Sequence, residues 1–229
     1  MSIEADVFLV GGDLLVGHDR RECTPERTLR GMYLEPLAER ARAGGGRVYP
    51  DASATLPPLI LLVDLKRDGD AAYRALDAML AASADVWTSV ENGVVTPRAV
   101  SVVVSGDIPR DTIAGQALRR AFVDGREPDL ETPIGASAPT SLVPMVSLSW
   151  PERFGWIGLG PMPKKERERL RQLVSAAKGR GYGLRFWGTP NLPKFWAELV
   201  LEGVPLIGVD DLKSASEQGE AWWQITSTE

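Results

Sequence analysis

Leu59-Ile-Leu-Leu-Val63, set between Pro57-Pro58 and Asp64, is the longest uninterrupted run of branched aliphatic residues in the chain. Such a run, without polar alternation, fits a strand buried on both faces, as in a parallel sheet covered by helices. Val100-Ser-Val-Val-Val104, Met145-Val-Ser-Leu148, Leu184-Arg-Phe-Trp187 and Leu206-Ile-Gly-Val209 read the same way, and Ala121-Phe-Val-Asp124 is a shorter member. Helical patterns fall between them. Asp70 is placed to cap a helix whose Tyr73, Leu76, Met79 and Leu80 share one face. Pro163 suits the first position of a helix carrying Leu170, Leu173, Val174 and Ala177 on one side, and Gly179-Arg-Gly181 supplies its stop. Pro193 opens a shorter helix with Phe195, Trp196, Leu199 and Val200. Strand–helix alternation of this kind implies an α/β fold with a parallel sheet and right-handed crossovers. Arg42 to Pro58 and Glu127 to Pro144 read as loops within a domain, because the alternation resumes after each.

Ahead of the Leu59 strand lies Glu4-Ala-Asp6-Val-Phe-Leu-Val, then Gly11-Gly12-Asp13, then Leu-Leu-Val-Gly17-His18-Asp19. Glu4 and Asp6 are two apart, so in a strand both carboxylates leave by the same face. The glycine pair reads as a tight hairpin turn, since glycine adopts positive φ without a steric cost. A three-residue loop sets Asp6 opposite His18; a two-residue loop sets Ala5 there. Either register brings the only histidine of the 229 residues close to a carboxylate pair. Metal-assisted acid–base chemistry uses such groups, and so does a plain hairpin with solvated carboxylates.

Bulk properties narrow the classes. With 26 basic and 31 acidic residues, the formal charge of −5 argues against a duplex nucleic-acid binder. Lys164-Lys165-Glu-Arg-Glu-Arg alternates in sign and reads as the wet face of a helix. The single cysteine, Cys23, has no intrachain partner and receives no role. No apolar run is long enough to span a membrane, and no secretory leader is visible.

These segments, together with Thr28-Leu-Arg-Gly-Met-Tyr33-Leu-Glu-Pro36-Leu, Val103-Val-Ser105-Gly106, Gly160-Pro-Met-Pro163, Phe186-Trp187-Gly-Thr-Pro190 and Val209-Asp210-Asp211-Leu, resemble one superfamily from residue 2 to about residue 212. It is the phosphodiesterase superfamily of glycerophosphodiester phosphodiesterases and phosphatidylinositol-specific phospholipases C. The branch named after altered inheritance of mitochondria protein 6 is the most similar. The resemblance implies a TIM (β/α) barrel, here a single domain over residues 1–229 with seven parallel strands and a hairpin extension after the first. It also implies that the family's first strand and helix are missing and that the N-terminus is shortened, which leaves the compartment open because relatives can be secreted.

The same resemblance assigns roles. Glu4 and Asp6 match a metal-binding pair and Asp64 a further acidic ligand; oxygen ligands of this kind favour Mg²⁺ or Ca²⁺. Without the resemblance, Asp64 reads equally as a loop or capping aspartate. Lys66 contacts either a phosphate oxygen or a nearby carboxylate. His18 matches the second of two catalytic histidines, the one that protonates the departing oxygen, and no residue matches the first. Loss of one acid–base partner removes a factor of about 10²–10⁴ in rate, so activity on a small-molecule or lipid phosphodiester is expected to be weak or nil. A non-catalytic remnant that binds a metal or an anionic ligand is the alternative. A glycoside hydrolase using Glu4 with another carboxylate, and tryptophans as sugar platforms, is a third reading.

Ser105, Asp107, Asp124, Trp187 and Asp210 are expected at or just past strand ends. Arg185 and Trp187 share a face and can line the barrel mouth, although packing is the expected role for Trp187. Trp150, Trp156 and Trp196 read as core or loop anchors, and Trp222-Trp223 as a dock for the C-terminal tail or a contact surface.

Overall fold

A computed structural model describes residues 2–50, 57–211 and 213, and the chain divides into two compact units, Met1–Asp124 and Gly125–Glu229. The first unit opens with β1 (Ser2–Val10) and β2 (Asp13–Val16), followed by α1 (Glu35–Ala43), β3 (Leu59–Leu65) and α2 (Gly69–Ala81). Then come β4 (Ser89–Glu91), β5 (Val94–Thr96), β6 (Val100–Gly106), α3 (Arg110–Ala114), β7 (Leu118–Arg119) and β8 (Ala121–Gly125). The main sheet of this unit runs β2-β1-β3-β6-β8; every pairing is parallel except that of β2 with β1.

Burial explains why this sheet forms. Leu61, Val63, Leu65, Val102, Val103 and Val104 are fully buried, as expected for strands covered on both faces. Tyr73, Leu76 and Leu80 bury the same side of α2. The turn between β1 and β2 has two residues: Val10 pairs with Asp13, and Gly11 and Gly12 take φ of +60° and +90°. Positive φ at both central positions is the mirror-image turn whose twist matches the flanking strands. Of the two loop lengths compatible with the sequence, the shorter therefore forms.

In the second unit the order is α4 (Glu127–Glu131), β9 (Met145–Ser149), α5 (Lys164–Gly179), β10 (Gly183–Trp187), α6 (Pro193–Leu201) and β11 (Leu206–Ile207). Its strands pair in parallel, β10 lying between β9 and β11. An aromatic cluster fills its core: Trp150 stacks on Phe154 at 4.1 Å between ring centroids and meets Phe186 and Phe195 edge-on. Trp156 stacks on Phe195, and the Trp150 indole N–H donates to the Trp156 carbonyl at 2.9 Å. Each such ring pair adds about 0.5–1.5 kcal/mol to simple burial.

All seven parallel strands foreseen in the sequence are present across the two units. The helix boundaries need correction. Helix α2 begins at Gly69 with Asp68 in the cap position, and Asp70 lies inside its first turn, where its carboxylate accepts from the Thr112 hydroxyl. Helix α5 begins at Lys164, so Pro163 is its cap residue and not its first helical one. The 127–144 stretch, expected to be loop, contains α4 and a 3₁₀ turn at Ile134–Ala136. A second antiparallel sheet, β5-β4-β7, was not foreseen. The Trp222-Trp223 pair lies outside the described residues.

Glu202 caps the end of α6 and accepts hydrogen bonds from Arg167 and, at 2.6 Å, from Arg171 Nε. Its side chain is 4% exposed. Burial pushes the carboxyl pKa up, but the two guanidiniums outweigh it and hold it below its ordinary value of 4.5. A depressed carboxylate contributes stability that is complete above the unfolded pKa and fades as pH falls through the folded one. Glu202→Gln should therefore lose about 1.5 kcal/mol at neutral pH, the lower end for charged hydrogen bonds because Arg171 is 63% exposed. Urea unfolding repeated at neutral pH and stepwise below pH 4.5 should show the gap between variant and wild type closing.

Candidate functional site

Parallel pairing of β1 with β3 places Asp6 directly beside Asp64, and Glu4 emerges on the same face two residues earlier. One carboxylate oxygen from each of Glu4, Asp6 and Asp64 lies within 4.8 Å of the other two. Glu4 is exposed, while Asp6 and Asp64 are half-buried. Three carboxylates at this distance repel one another strongly unless positive charge lies among them.

Lys66 supplies one such charge. Its ammonium is 3.1 Å from Asp6 Oδ1 and 3.2 Å from Asp64 Oδ2, and its backbone N–H donates to the Val7 carbonyl at 3.0 Å. Burial works against the charged form, but hydrogen bonds and charge from Asp6 and Asp64 outweigh it and raise the Lys66 pKa. Of the two partners open to Lys66 in the sequence, the carboxylates are the ones it touches. Three carboxylates less one ammonium leave a formal charge of about −2 with His18 neutral.

His18 reaches the cluster from the other side. Its Nδ1 lies 2.7 Å from Asp6 Oδ2, and its side chain is 83% exposed. The residues after β2 fix this position. Gly17 N–H donates to the Asp6 carbonyl at 3.0 Å and continues the hairpin by one residue. The backbone N–H of His18 then donates to Glu22 Oε2 at 2.9 Å, and Asp19 caps the 3₁₀ turn Arg20–Glu22. Glu22 was not singled out in the sequence; a carboxylate three residues after an aspartate is the capping-box signature that reveals it.

Gly106, at the end of β6, is a second contributor visible only in three dimensions. Its φ is +75°, and a Cβ there would overlap Asp64 Oδ1 and the Leu65 carbonyl. Ser105 and Asp124 are buried, and the Ser105 hydroxyl donates to Asp124 Oδ2 at 2.8 Å. Asp107 accepts from the Gly69 N–H at 2.9 Å. In the second unit, Trp150, Trp156 and Trp196 are buried as expected, whereas Trp187 is 47% exposed, so the packing role expected for it gives way. Arg185 is partly buried on β10, and Asp210 is exposed, its N–H donating to Asn191 Oδ1 at 3.4 Å. Cys23 is partly buried against the Leu15 carbonyl.

Removing the ammonium while keeping the carboxylates should be costly. Lys66→Met is expected to lower unfolding free energy by about 1.5–3 kcal/mol in urea titrations. Adding Asp64→Asn to it should recover at least about 0.5 kcal/mol, because the pair is coupled.

The matching family model is described as an AIM6-like phosphodiesterase domain, and it covers residues 1–124, the span of the first compact unit. An altered inheritance of mitochondria protein 6 homolog from Arthroderma benhamiae is 32% identical over 238 aligned positions, covering 94% of this chain and 73% of the relative. Altered inheritance of mitochondria protein 6 from Eremothecium gossypii is 27% identical over 252 positions, and the chain spans 63% of its length. No solved structure matches. With more than half of its residues under that family model, and a relative similar along nearly its whole length, the chain belongs to the AIM6-like phosphodiesterase domain family.

Proposed function

We propose that the protein is a phosphoric diester hydrolase of the PLC-like type, built on (β/α) barrel architecture, in which Glu4, Asp6 and Asp64 hold a divalent cation and His18 and Lys66 serve the reaction. The observation that carries this reading is the meeting of three carboxylates, one imidazole and one ammonium where β3 and its ladder with β1 end. Strand C-termini are where parallel α/β folds place their active sites. Hard oxygen donors around a net charge of about −2 fit Mg²⁺ or Ca²⁺, and two of these carboxylates already share a cationic group, the Lys66 ammonium. A divalent cation held by Glu4, Asp6 and Asp64 would neutralise charge on the phosphoryl oxygens.

The protein's own groups do the rest. Asp6 Oδ2 accepts a proton-bearing Nδ1 from His18, which leaves Nε2 on the exposed edge of the ring. Protonated on both nitrogens, the ring gives its Nε2 proton to the departing alkoxide oxygen and is left neutral; already neutral, with Nε2 bare, it instead takes a proton from the attacking hydroxyl. Lys66 adds positive charge that attracts the phosphodiester anion. The reaction class suits a glycerophosphodiester or phospholipid-type substrate. Clustered, jointly paired carboxylates do not suit glycoside hydrolysis, which needs two carboxyl groups flanking the bond with one of them protonated.

One imidazole in 229 residues supports a second reading, a weak or non-catalytic protein that binds a metal or an anionic ligand. Hydrolysis of bis(p-nitrophenyl) phosphate and glycerophosphocholine, with Mg²⁺, Ca²⁺ or EDTA, separates the two. Chelation should abolish turnover, and His18→Ala should lower it by about 10²–10⁴-fold. Turnover that survives EDTA or His18→Ala would sink the mechanism; a Mg²⁺- or Ca²⁺-dependent rise in thermal midpoint without turnover would favour the second reading.

A further inference from the structure

The exit of β6 grips the end of β3, which carries Asp64, and the turn after it, which carries Lys66. Leu65 pairs with Gly106 across the β3/β6 ladder, and the Asp107 N–H donates to the Leu65 carbonyl at 2.7 Å. On its other side the same loop is tied to β1 through the Lys66 N–H and the Val7 carbonyl, 3.0 Å. Two residues after Lys66, the chain turns through Asp68 at φ +55° and enters α2 at Gly69.

The first N–H groups of a helix have no partner within it and need one from elsewhere. Asp68 occupies the cap position, yet its side chain makes no capping bond. Asp107 takes over that role from the neighbouring strand exit, its Oδ2 accepting from the Gly69 N–H at 2.9 Å. Gly69 permits the approach: a Cβ there would collide with the Asp107 carbonyl. Gly106 completes the grip, since its bare Cα leaves the space that Asp64 Oδ1 fills.

We propose that Gly106 and Asp107 are positioning residues, which fix the Asp64–Gly69 segment, from the end of β3 to the start of α2, and thereby set where the Asp64 carboxylate and the Lys66 ammonium stand. This rests on the phosphodiesterase reading for its consequence, because those two groups matter there as ligand and charge partner. Neither residue touches the reacting atoms. Both act through the loop, and an acceptor oxygen at position 107, charged or not, is what the loop requires.

Asp107→Ala, Asp107→Asn and Gly106→Ala test this, with Mn²⁺ affinity measured by electron paramagnetic resonance and amide hydrogen exchange by NMR. Asp107→Ala should weaken Mn²⁺ binding about tenfold or more, the usual consequence of removing a group that orients a ligand. Exchange of the Lys66 and Gly69 amides should quicken at least about tenfold, while those of Leu62 and Val63 inside the strand keep their rates. Asp107→Asn retains an acceptor oxygen and should stay within about twofold of wild type in both. Gly106→Ala should follow Asp107→Ala; if it does not fold, the position-107 pair decides. Unchanged exchange at Lys66 and Gly69 in Asp107→Ala overturns the proposal. So does an asparagine variant as impaired as the alanine one, or exchange that quickens equally at Leu62 and Val63. Wild-type protein that binds no Mn²⁺ defeats the metal reading instead, and exchange still decides whether the loop is held.

Discussion

Asp6 accepts from two directions at once, and the arrangement of the site depends on it. One oxygen faces the His18 ring at 2.7 Å and the other the Lys66 ammonium at 3.1 Å. A half-buried carboxylate between two such donors is held in one orientation, because turning it breaks both contacts. The donors come from different places: His18 follows β2, and Lys66 follows β3. Asp6 lies on β1, the strand between them, so sheet order alone makes it the shared acceptor. Glu4 and Asp64 then join by geometry already set, Glu4 through the period-two alternation of β1 and Asp64 through the ladder. The charge such crowding creates is offset in part by Lys66. What remains is a demand for more positive charge, and that demand is the physical content of the metal reading.

Much of this was legible in the residues. The run Leu59 to Val63 announces a strand covered on both faces, and Glu4 and Asp6 declare a shared face by their spacing. Gly11-Gly12 announces the hairpin but leaves its register open, because a following Asp13 fits either loop length; only the pairing of Val10 with Asp13 decides. The sheet of β4, β5 and β7 left no such trace: its strands are two or three residues long, and β5 is exposed throughout. Short exposed strands lack the buried alternation that betrays longer ones. The cap of α2 was misplaced for a different reason. Sequence rules look for the capping oxygen next to the helix, and here it arrives from Asp107, 38 residues further on.

Family membership and local geometry bear on the same residues without being the same argument. The family model covers the first compact unit, and Glu4, Asp6, His18, Asp64 and Lys66 all lie within it. Similarity fixes the lineage; distances say which groups meet. Lys66 shows the difference. Its place in a family motif leaves phosphate and carboxylate equally open as partners, and the ion pairs with Asp6 and Asp64 are a property of this fold.

The two-residue turn carries one more consequence. Directly opposed residues of an antiparallel pair share a face, so with Val7 opposite Val16, continued pairing would set Gly17 against Asp6 and His18 against Ala5. Ala5 points into the core, away from the carboxylates, and a ladder extended by two residues would bury the imidazole there. The strand stops at Val16 instead. A Cβ on Gly17 would crowd Asp19, Glu22 and Cys23, and Glu22 takes the His18 N–H, which turns the chain and delivers the ring to Asp6. A three-residue loop would instead have set His18 opposite Asp6 within the ladder itself. The shorter loop with its capped turn keeps His18 beside the carboxylates and leaves the outer edge of its ring in solvent.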